Sequence, residues 1–249
     1  SGESIHYIDN ISFENLKVEG FESGVVFLAN SRNIRATDCD FTMGGMDIDQ
    51  NNRQGFQLRH CEKVLISGCT FRGVSMPLYT ASGYEQYGQS RDIVFSNNNL
   101  SYIKEDERFQ SGGINETGVD YIGLQIYHAD NYIISNNIIH GSESFGIYGL
   151  GGSCVISDNI LSEVGNEYET EGISQAAIIY NNNTEIKDHH VRITGNSIEN
   201  STLSTNGAAI KVLAGYFSGV SGQGEGINGG VVISGNTIKN IKGLLCIGI

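Results

Sequence analysis

The stretch Ser153-Cys-Val-Ile-Ser-Asp-Asn-Ile-Leu161 decides the fold. Written as apolar-x-apolar-x-x-Asn-x-apolar, it recurs as Val191-Arg-Ile-Thr-Gly-Asn-Ser-Ile198 and Val231-Val-Ile-Ser-Gly-Asn-Thr-Ile238. Earlier copies are Ile93-Val-Phe-Ser-Asn-Asn-Asn-Leu100 and Tyr132-Ile-Ile-Ser-Asn-Asn-Ile-Ile139, and two more carry cysteine at the asparagine position, Cys39 and Cys69. A degenerate copy, Ile11-Ser-Phe-Glu-Asn-Leu-Lys-Val18, comes first. Repetition of this kind is the signature of a solenoid, in which each unit buries its apolar face only against its neighbours.

The anchors Leu16, Cys39, Cys69, Asn98, Asn137, Asn159, Asn196 and Asn236 are 22 to 40 residues apart, and the floor of 22 to 23 is the bare unit. A second run follows each anchor, a small residue and then apolar-x-apolar: Gly24-Val-Val-Phe, Gly55-Phe-Gln-Leu, Gly123-Leu-Gln-Ile, Gly146-Ile-Tyr-Gly, Ala177-Ile-Ile-Tyr, Ala209-Ile-Lys-Val, with Pro77-Leu-Tyr-Thr as the outlier. Two short alternating strands per turn predict an all-β chain, a right-handed parallel β-helix of about eight coils filling residues 1–249 as a single domain. No segment sustains a helical i, i+3, i+4 pattern, and glycine and asparagine punctuate too densely for one. The anchor column reads as an asparagine ladder, each amide bonding the next coil.

A net charge of −13 argues against nucleic acid as a partner and weakens the case for a polyanionic one. The five cysteines lie on different coils; Cys39 and Cys69 share a column whose spacing admits a disulfide, and Cys61, Cys154 and Cys246 read as free core thiols. No apolar run approaches the length of a membrane span, so no membrane insertion is expected. The chain stops at Cys246-Ile-Gly-Ile249, mid-coil and without a polar cap, and is expected to be a fragment of a longer protein.

Insertions leave the solenoid at two corners: Thr42 to Gln54, Ser101 to Ile122, Ser162 to Gln175 and Glu199 to Ala208 before the second strand, and Ala81 to Asp92, Asn181 to His190 and Ala214 to Gly230 after it. The outer face of the second strand is thereby the floor of a groove. With Phe56, Leu78, Leu124, Ile147, Ile178 and Ile210 inward, the floor reads Gln57, Tyr79, Gln125, Tyr148, Ile179 and Lys211, with Arg59, Tyr127, Leu150, Asn181 and Leu213 in a second outward column. On the first coil the same pattern turns Val26 and Leu28 outward. Tyrosine faces and glutamine amides suit sugar rings, although outward tyrosines also pack well on any strand. Gln57, Arg59, Tyr79, Gln125, Tyr127, His128, Tyr148 and Lys211 are the candidate substrate-binding residues.

Asp120 stands four residues before Leu124, and Glu143 four before Ile147. Equivalent positions on consecutive coils lie about 5 Å apart, close enough for one carboxyl to hold a proton while the other stays ionised. That division suits retaining glycoside hydrolysis, and Asp120 and Glu143 are the candidate catalytic residues. Loop acids at Asp47, Asp49, Glu105, Asp106, Glu107, Glu167, Glu169 and Glu171 compete with them. No metal cluster is evident and no cofactor is expected, though Asp47-Ile-Asp49-Gln-Asn51 offers oxygens to calcium if that loop curls.

Copies such as Val155-Ile-Ser-Asp-Asn-Ile-Leu161 and Val231-Val-Ile-Ser-Gly-Asn-Thr-Ile238 resemble the pectate-lyase-like parallel β-helix superfamily, over essentially the whole chain. The resemblance implies a polysaccharide-active protein working outside the cell, at a cell surface or on a virion, and a homotrimer if it is a tailspike. Diagnostic motifs do not transfer: Val191-Arg-Ile-Thr194 is only a strand, and the single proline, Pro77, leaves no Asp-Pro-His-Asp. A glycoside hydrolase or tailspike-type depolymerase is the leading expectation. A polysaccharide lyase stands below it, because Arg59 and Lys211 lie coils away from the carboxylates, and a non-catalytic adhesin or receptor-binding segment is the remaining alternative.

Overall fold

The computed structural model describes residues 6–21, 24–43, 54–74, 76–80, 89–101, 123–127, 129–142, 145–165, 176–182, 189–203, 207–214 and 230–242. All the regular structure among them is β, and every strand pairing is parallel. The strands fall into three stacks that the chain visits in turn, a pairing consistent with a β-solenoid.

The first stack contains β1 (Ile8–Glu14), the second halves of β3 (Val26–Thr37) and β5 (Gln54–Ser67), β8 (Ser90–Ser96), β11 (Ala129–Ser135), β14 (Cys154–Ser157), β17 (Val191–Thr194) and β20 (Val231–Ser234). The second is an eight-stranded sheet of β2 (Lys17–Phe21), β4 (Asp40–Met43), β6 (Thr70–Arg72), β9 (Asn99–Ser101), β12 (Ile138–His140), β15 (Ile160–Ser162), β18 (Ser197–Glu199) and β21 (Thr237–Lys239). The third contains the first halves of β3 and β5, then β7 (Met76–Thr80), β10 (Leu124–Tyr127), β13 (Phe145–Leu150), β16 (Ala176–Asn182) and β19 (Ala208–Ala214).

Three strands per repeat replace the two expected, because the repeat motif bends in its middle. The residue before each anchor is left-handed: Asn15, Asp38, Gly68, Asn97, Asn136, Asp158, Gly195 and Gly235 have φ between 52° and 70°. Asparagine, aspartate and glycine tolerate that conformation best, so the motif's x-x carries a corner. The choice of glycine at Gly195 also follows from its neighbour. A Cβ there would lie 2.3 Å from Asp158 Oδ1, the side chain of the same corner one coil earlier.

Past the corner, the anchors form the expected ladder. Asn98 Nδ2 donates to Asn137 Oδ1 at 3.1 Å, Asn137 to Asn159 at 2.9 Å, Asn159 to Asn196 at 2.9 Å and Asn196 to Asn236 at 2.9 Å. Each Oδ1 also accepts the backbone N–H of the preceding anchor, and each Nδ2 donates to a carbonyl of the first stack, as Asn159 does to Ile134 O at 3.0 Å. Cys39 and Cys69 continue the column as free thiols rather than as a disulfide. Cys39 Sγ donates to Phe13 O at 3.5 Å and Cys69 Sγ to Ala36 O at 3.8 Å, carbonyls equivalent to those the asparagines use. Burial pushes the Cys69 thiol up to about 12, so it stays protonated and able to donate. Cys61 and Cys154 are also free and buried, while Cys246 lies outside the described residues.

The buried side chains of the three stacks form one continuous core. Near its start it is aromatic: Phe41 stacks on Phe71 at 5.2 Å, Phe56 meets Phe41 edge-on at 5.4 Å, and Phe95 follows Phe71 at 5.9 Å. Along the second stack the later coils are aliphatic, with Leu100, Ile139, Leu161 and Ile198 all but sealed, while Tyr132 and Tyr180 are buried from the other two stacks. On the third stack the inward column is Val26, Phe56, Leu78, Leu124, Ile147, Ile178 and Ile210. Val26 therefore pairs with Phe56 and points inward, a one-residue shift from the sequence alignment on Gly24. Phe27 is turned outward instead and is 56% exposed.

Candidate functional site

The outer face of the third stack carries the expected residues in register. Gln57, Tyr79, Gln125, Tyr148, Ile179 and Lys211 are successive cross-strand partners from β5 to β19. Tyr127, Leu150, Asn181 and Leu213 form the parallel row two residues on. Period-2 alternation alone puts them there, since their neighbours must fill the core.

The side chains then organise one another. Tyr79 meets Tyr127 edge-on at 5.8 Å and Tyr127 meets Tyr148 edge-on at 5.5 Å, a run of rings that alternates between the two rows. Gln125 donates its amide to the Tyr127 hydroxyl, which fixes that phenol. Arg59 lays its guanidinium over the Phe27 ring, 5.1 Å from the centroid. Tyr148, Leu150, Phe145, Ala176 and Ile179 form a second apolar cluster outside the core, with Tyr127 packed against it. Tyr148 is 3% exposed and Gln125 is also buried, whereas Gln57, Arg59, Tyr79, Tyr127 and Lys211 are half-buried. The wall is thus open at the Gln57–Tyr79 end and closed around Tyr148.

Burial sets the protonation of this wall. It raises the phenols of Tyr79, Tyr127 and Tyr148 above their ordinary value, most strongly at Tyr127, where Tyr148 and Tyr79 add to the effect. At Tyr79 the Arg59 guanidinium opposes that rise, which puts a cation within electrostatic reach of a phenol on the neighbouring strand.

The candidate catalytic residues Asp120 and Glu143, and the candidate binding residue His128, lie outside the described residues. The register beneath the carboxylate argument is present, since Leu124 pairs with Ile147 and Gly123 N–H donates to Phe145 O at 3.0 Å. The acids of the long loops and the Asp47-to-Asn51 stretch also lie outside the described residues. Among the described residues no three His, Cys, Asp or Glu side chains gather to hold a metal ion, and no helix is long and apolar enough to cross a membrane.

One polar network escapes sequence reasoning because its members come from four repeats. The Tyr7 hydroxyl lies 2.9 Å from His60 Nε2 and donates to Glu62 Oε1 at 3.0 Å, and His60 Nδ1 lies 3.0 Å from Asn30 Oδ1. Arg91 donates to the same Glu62 oxygen at 2.7 Å. Elsewhere, a hollow of about 370 Å³ lies over Val94, Ile133 and Val155 on the first stack, rimmed by Asp92, Asn131, His190 and Arg192. Its floor is aliphatic, where the tyrosine wall offers flat rings and amides.

No family model matches the chain, and no curated protein does. Among solved structures, the chain is similar to an alginate lyase from Paenibacillus sp. str. FPU-7, with a TM-score of 0.54 over 95% of this chain and 72% of that one, at 12% identity. At that identity the likeness concerns the fold, a polysaccharide-active enzyme's parallel β architecture carried by a different sequence.

Proposed function

We propose that the chain is a right-handed parallel β-helix of about eight coils that degrades a polysaccharide bound along the outer wall of β5, β7, β10, β13, β16 and β19. The observation that carries this reading is the edge-to-face series Tyr79–Tyr127–Tyr148, flanked in register by the Gln57 and Gln125 amides, with Arg59 and Lys211 toward its two ends. Flat apolar rings with hydrogen-bonding edges and a few cations fit sugar rings and their substituents.

The leading chemistry is hydrolysis at Asp120 and Glu143. The protonated carboxyl gives its proton to the glycosidic oxygen as the bond to the anomeric carbon breaks, and the ionised one attacks that carbon or draws a proton from water. The same wall supports a second route. The Arg59 charge, felt at Tyr79, would neutralise a uronate carboxylate while a phenolate removes the adjacent carbon-bound proton; a carbon–carbon double bond then forms as the leaving sugar departs. The likeness to an alginate lyase favours keeping this elimination in view. Action outside the cell and a trimeric assembly of tailspike type belong to the same reading.

The test is product analysis on a panel of neutral and uronic-acid polysaccharides, comparing the parent protein with Asp120→Asn, Glu143→Gln and Tyr79→Phe. Reducing ends without ultraviolet absorbance, lost in both acid variants, establish hydrolysis. Absorbance from an unsaturated sugar, lost in Tyr79→Phe, establishes elimination. Binding with no turnover of any polysaccharide would leave a glycan-binding module and sink both enzymatic routes.

A further inference from the structure

The first stack turns alternate residues outward, and its two outward rows differ. The row from Thr37 through Ser67, Ser96, Ser135 and Ser157 to Thr194 carries a hydroxyl on every strand, as suits a face that meets water. Two residues earlier, the row that runs from Arg35 to Arg192 is aliphatic between those ends: Leu65, Val94, Ile133 and Val155 are direct partners on consecutive strands. Ile133 is 41% exposed, so core packing does not account for it. Single outward aliphatics are ordinary on a pleated sheet. Four in succession, with a hollow of about 370 Å³ over three of them, make a surface shaped for something apolar.

The rim gives the hollow a direction. Asp92 lies at the Val94 end, and His190 and Arg192 lie at the other, past Val155. Arg192 is exposed and makes no ion pair among the described residues, in a chain whose acids outnumber its Lys and Arg. An anionic group is therefore held at the Arg192 end and repelled at the Asp92 end. Val94 and Arg192 are three strand steps apart, about 14 Å at the usual spacing. An extended chain advances about 1.2 Å per bond, so about ten to twelve carbons cover that length.

We propose that this hollow is a second binding site, on a different face from the tyrosine wall, for a free single-chain aliphatic carboxylate of about ten to twelve carbons, whose chain lies across Val94, Ile133 and Val155 and whose carboxylate meets the Arg192 guanidinium. Polysaccharide fits it poorly, because hydroxyls laid on an aliphatic floor lose water and gain no partner. A protein partner fits it poorly too, since a stable interface takes about 20 residues or more from each side, and the strip is one short row. The aliphatic carboxylate matches floor, length and charge in one orientation. The site does not depend on the glycan reading.

The experiment is calorimetric titration of the protein with straight-chain saturated carboxylates, from half that length to somewhat beyond it and below their micelle thresholds, and with alcohols of matching length. Affinity is expected to rise about twofold per added carbon, half the effect of full burial because the floor is open on one side, and to level off once the chain outruns the floor. Arg192→Gln is expected to weaken the carboxylates about tenfold and the alcohols little. Ile133→Ser and Val155→Ser, which place on this row the residue type of the next, are expected to flatten the gain per carbon while Tm holds. A parent protein that binds none of the carboxylates overturns the proposal. So does affinity that climbs past that length and is indifferent to both serine variants, the mark of adsorption without a site. Carboxylates and alcohols bound alike, and equally by Arg192→Gln, would overturn the role of Arg192.

Discussion

Gly149 and Tyr132 share one space. Gly149 belongs to an inward row with Ile126, Tyr180 and Val212, where its missing side chain leaves a gap that Tyr132 fills from the first stack. A Cβ on Gly149 would lie 2.1 Å from the Tyr132 hydroxyl and 3.1 Å from the ring carbon that bears it. Gly149→Ala is therefore expected to cost about 1–3 kcal/mol, and Tyr132→Phe to recover most of it in the double variant. Tyr132→Phe alone should be close to neutral, because that buried hydroxyl has only the weak Cys154 thiol beside it. Denaturant midpoints of the four proteins check both statements; a double variant no better than Gly149→Ala would mean the clash lies elsewhere. His60 supplies a pH test. Burial lowers its imidazole below the ordinary value, against an upward pull from Glu62. A histidine depressed by folding binds its proton more readily when unfolded, so its contribution is full above the unfolded value near pH 6.5 and declines as pH falls toward the folded value. Stability should thus fall less between about pH 7.5 and 5.5 in His60→Gln than in the parent, and equal falls would remove His60 from that window.

At the scale of the element, the ladder and its corner matter more than any strand, since the second-stack strands are as short as three residues. Asn159→Ala leaves the Ile134 carbonyl and the Asn137 donors without partners, on the order of 3 kcal/mol when those groups stay buried. Position along the ladder should matter as much as chemistry. Asn98 is the first asparagine, with a cysteine already before it, so Asn98→Cys breaks one amide-to-amide step; Asn159→Cys breaks two. Thermal melts are expected to rank Asn98→Cys above Asn159→Cys, and the reverse order would show that the steps are not equivalent. The ladder was legible because its residue type and spacing repeat. The corner inside the repeat was not, because Asn-Asn, Asp-Asn and Gly-Asn read equally well as turn or as polar strand until φ is known.

For the whole molecule, charge and the tyrosine wall give two expectations. A net charge of −13 repels itself in the compact state, and few described cations are paired tightly against it, so moderate salt should raise Tm by screening. A lower Tm in salt would mean that the pairs Arg32–Asp9 and Arg91–Glu62 outweigh the repulsion. The pH profile separates the two chemistries without any variant. Burial raises Tyr79, so elimination by its phenolate should climb steadily from neutral into alkaline pH. Hydrolysis by a carboxyl pair that shares a proton should instead peak on the acid side and fall as the second carboxyl ionises.

The sequence by itself determined the parallel β class, the ladder and the register of the third stack, down to the Gln57–Tyr79–Gln125–Tyr148 row. These depend on a period of two and on a motif repeated often enough to align, and both are properties of the chain read in line. The first coil slipped by one residue because Gly24 imitates the small residue that Val25 replaces. Only the tertiary structure decided that each repeat carries three strands, that the wall is closed at Tyr148 and open at Tyr79, and that Tyr132 occupies the space left by Gly149. Each of these depends on which side chains meet across coils, and distance along the sequence does not encode that meeting.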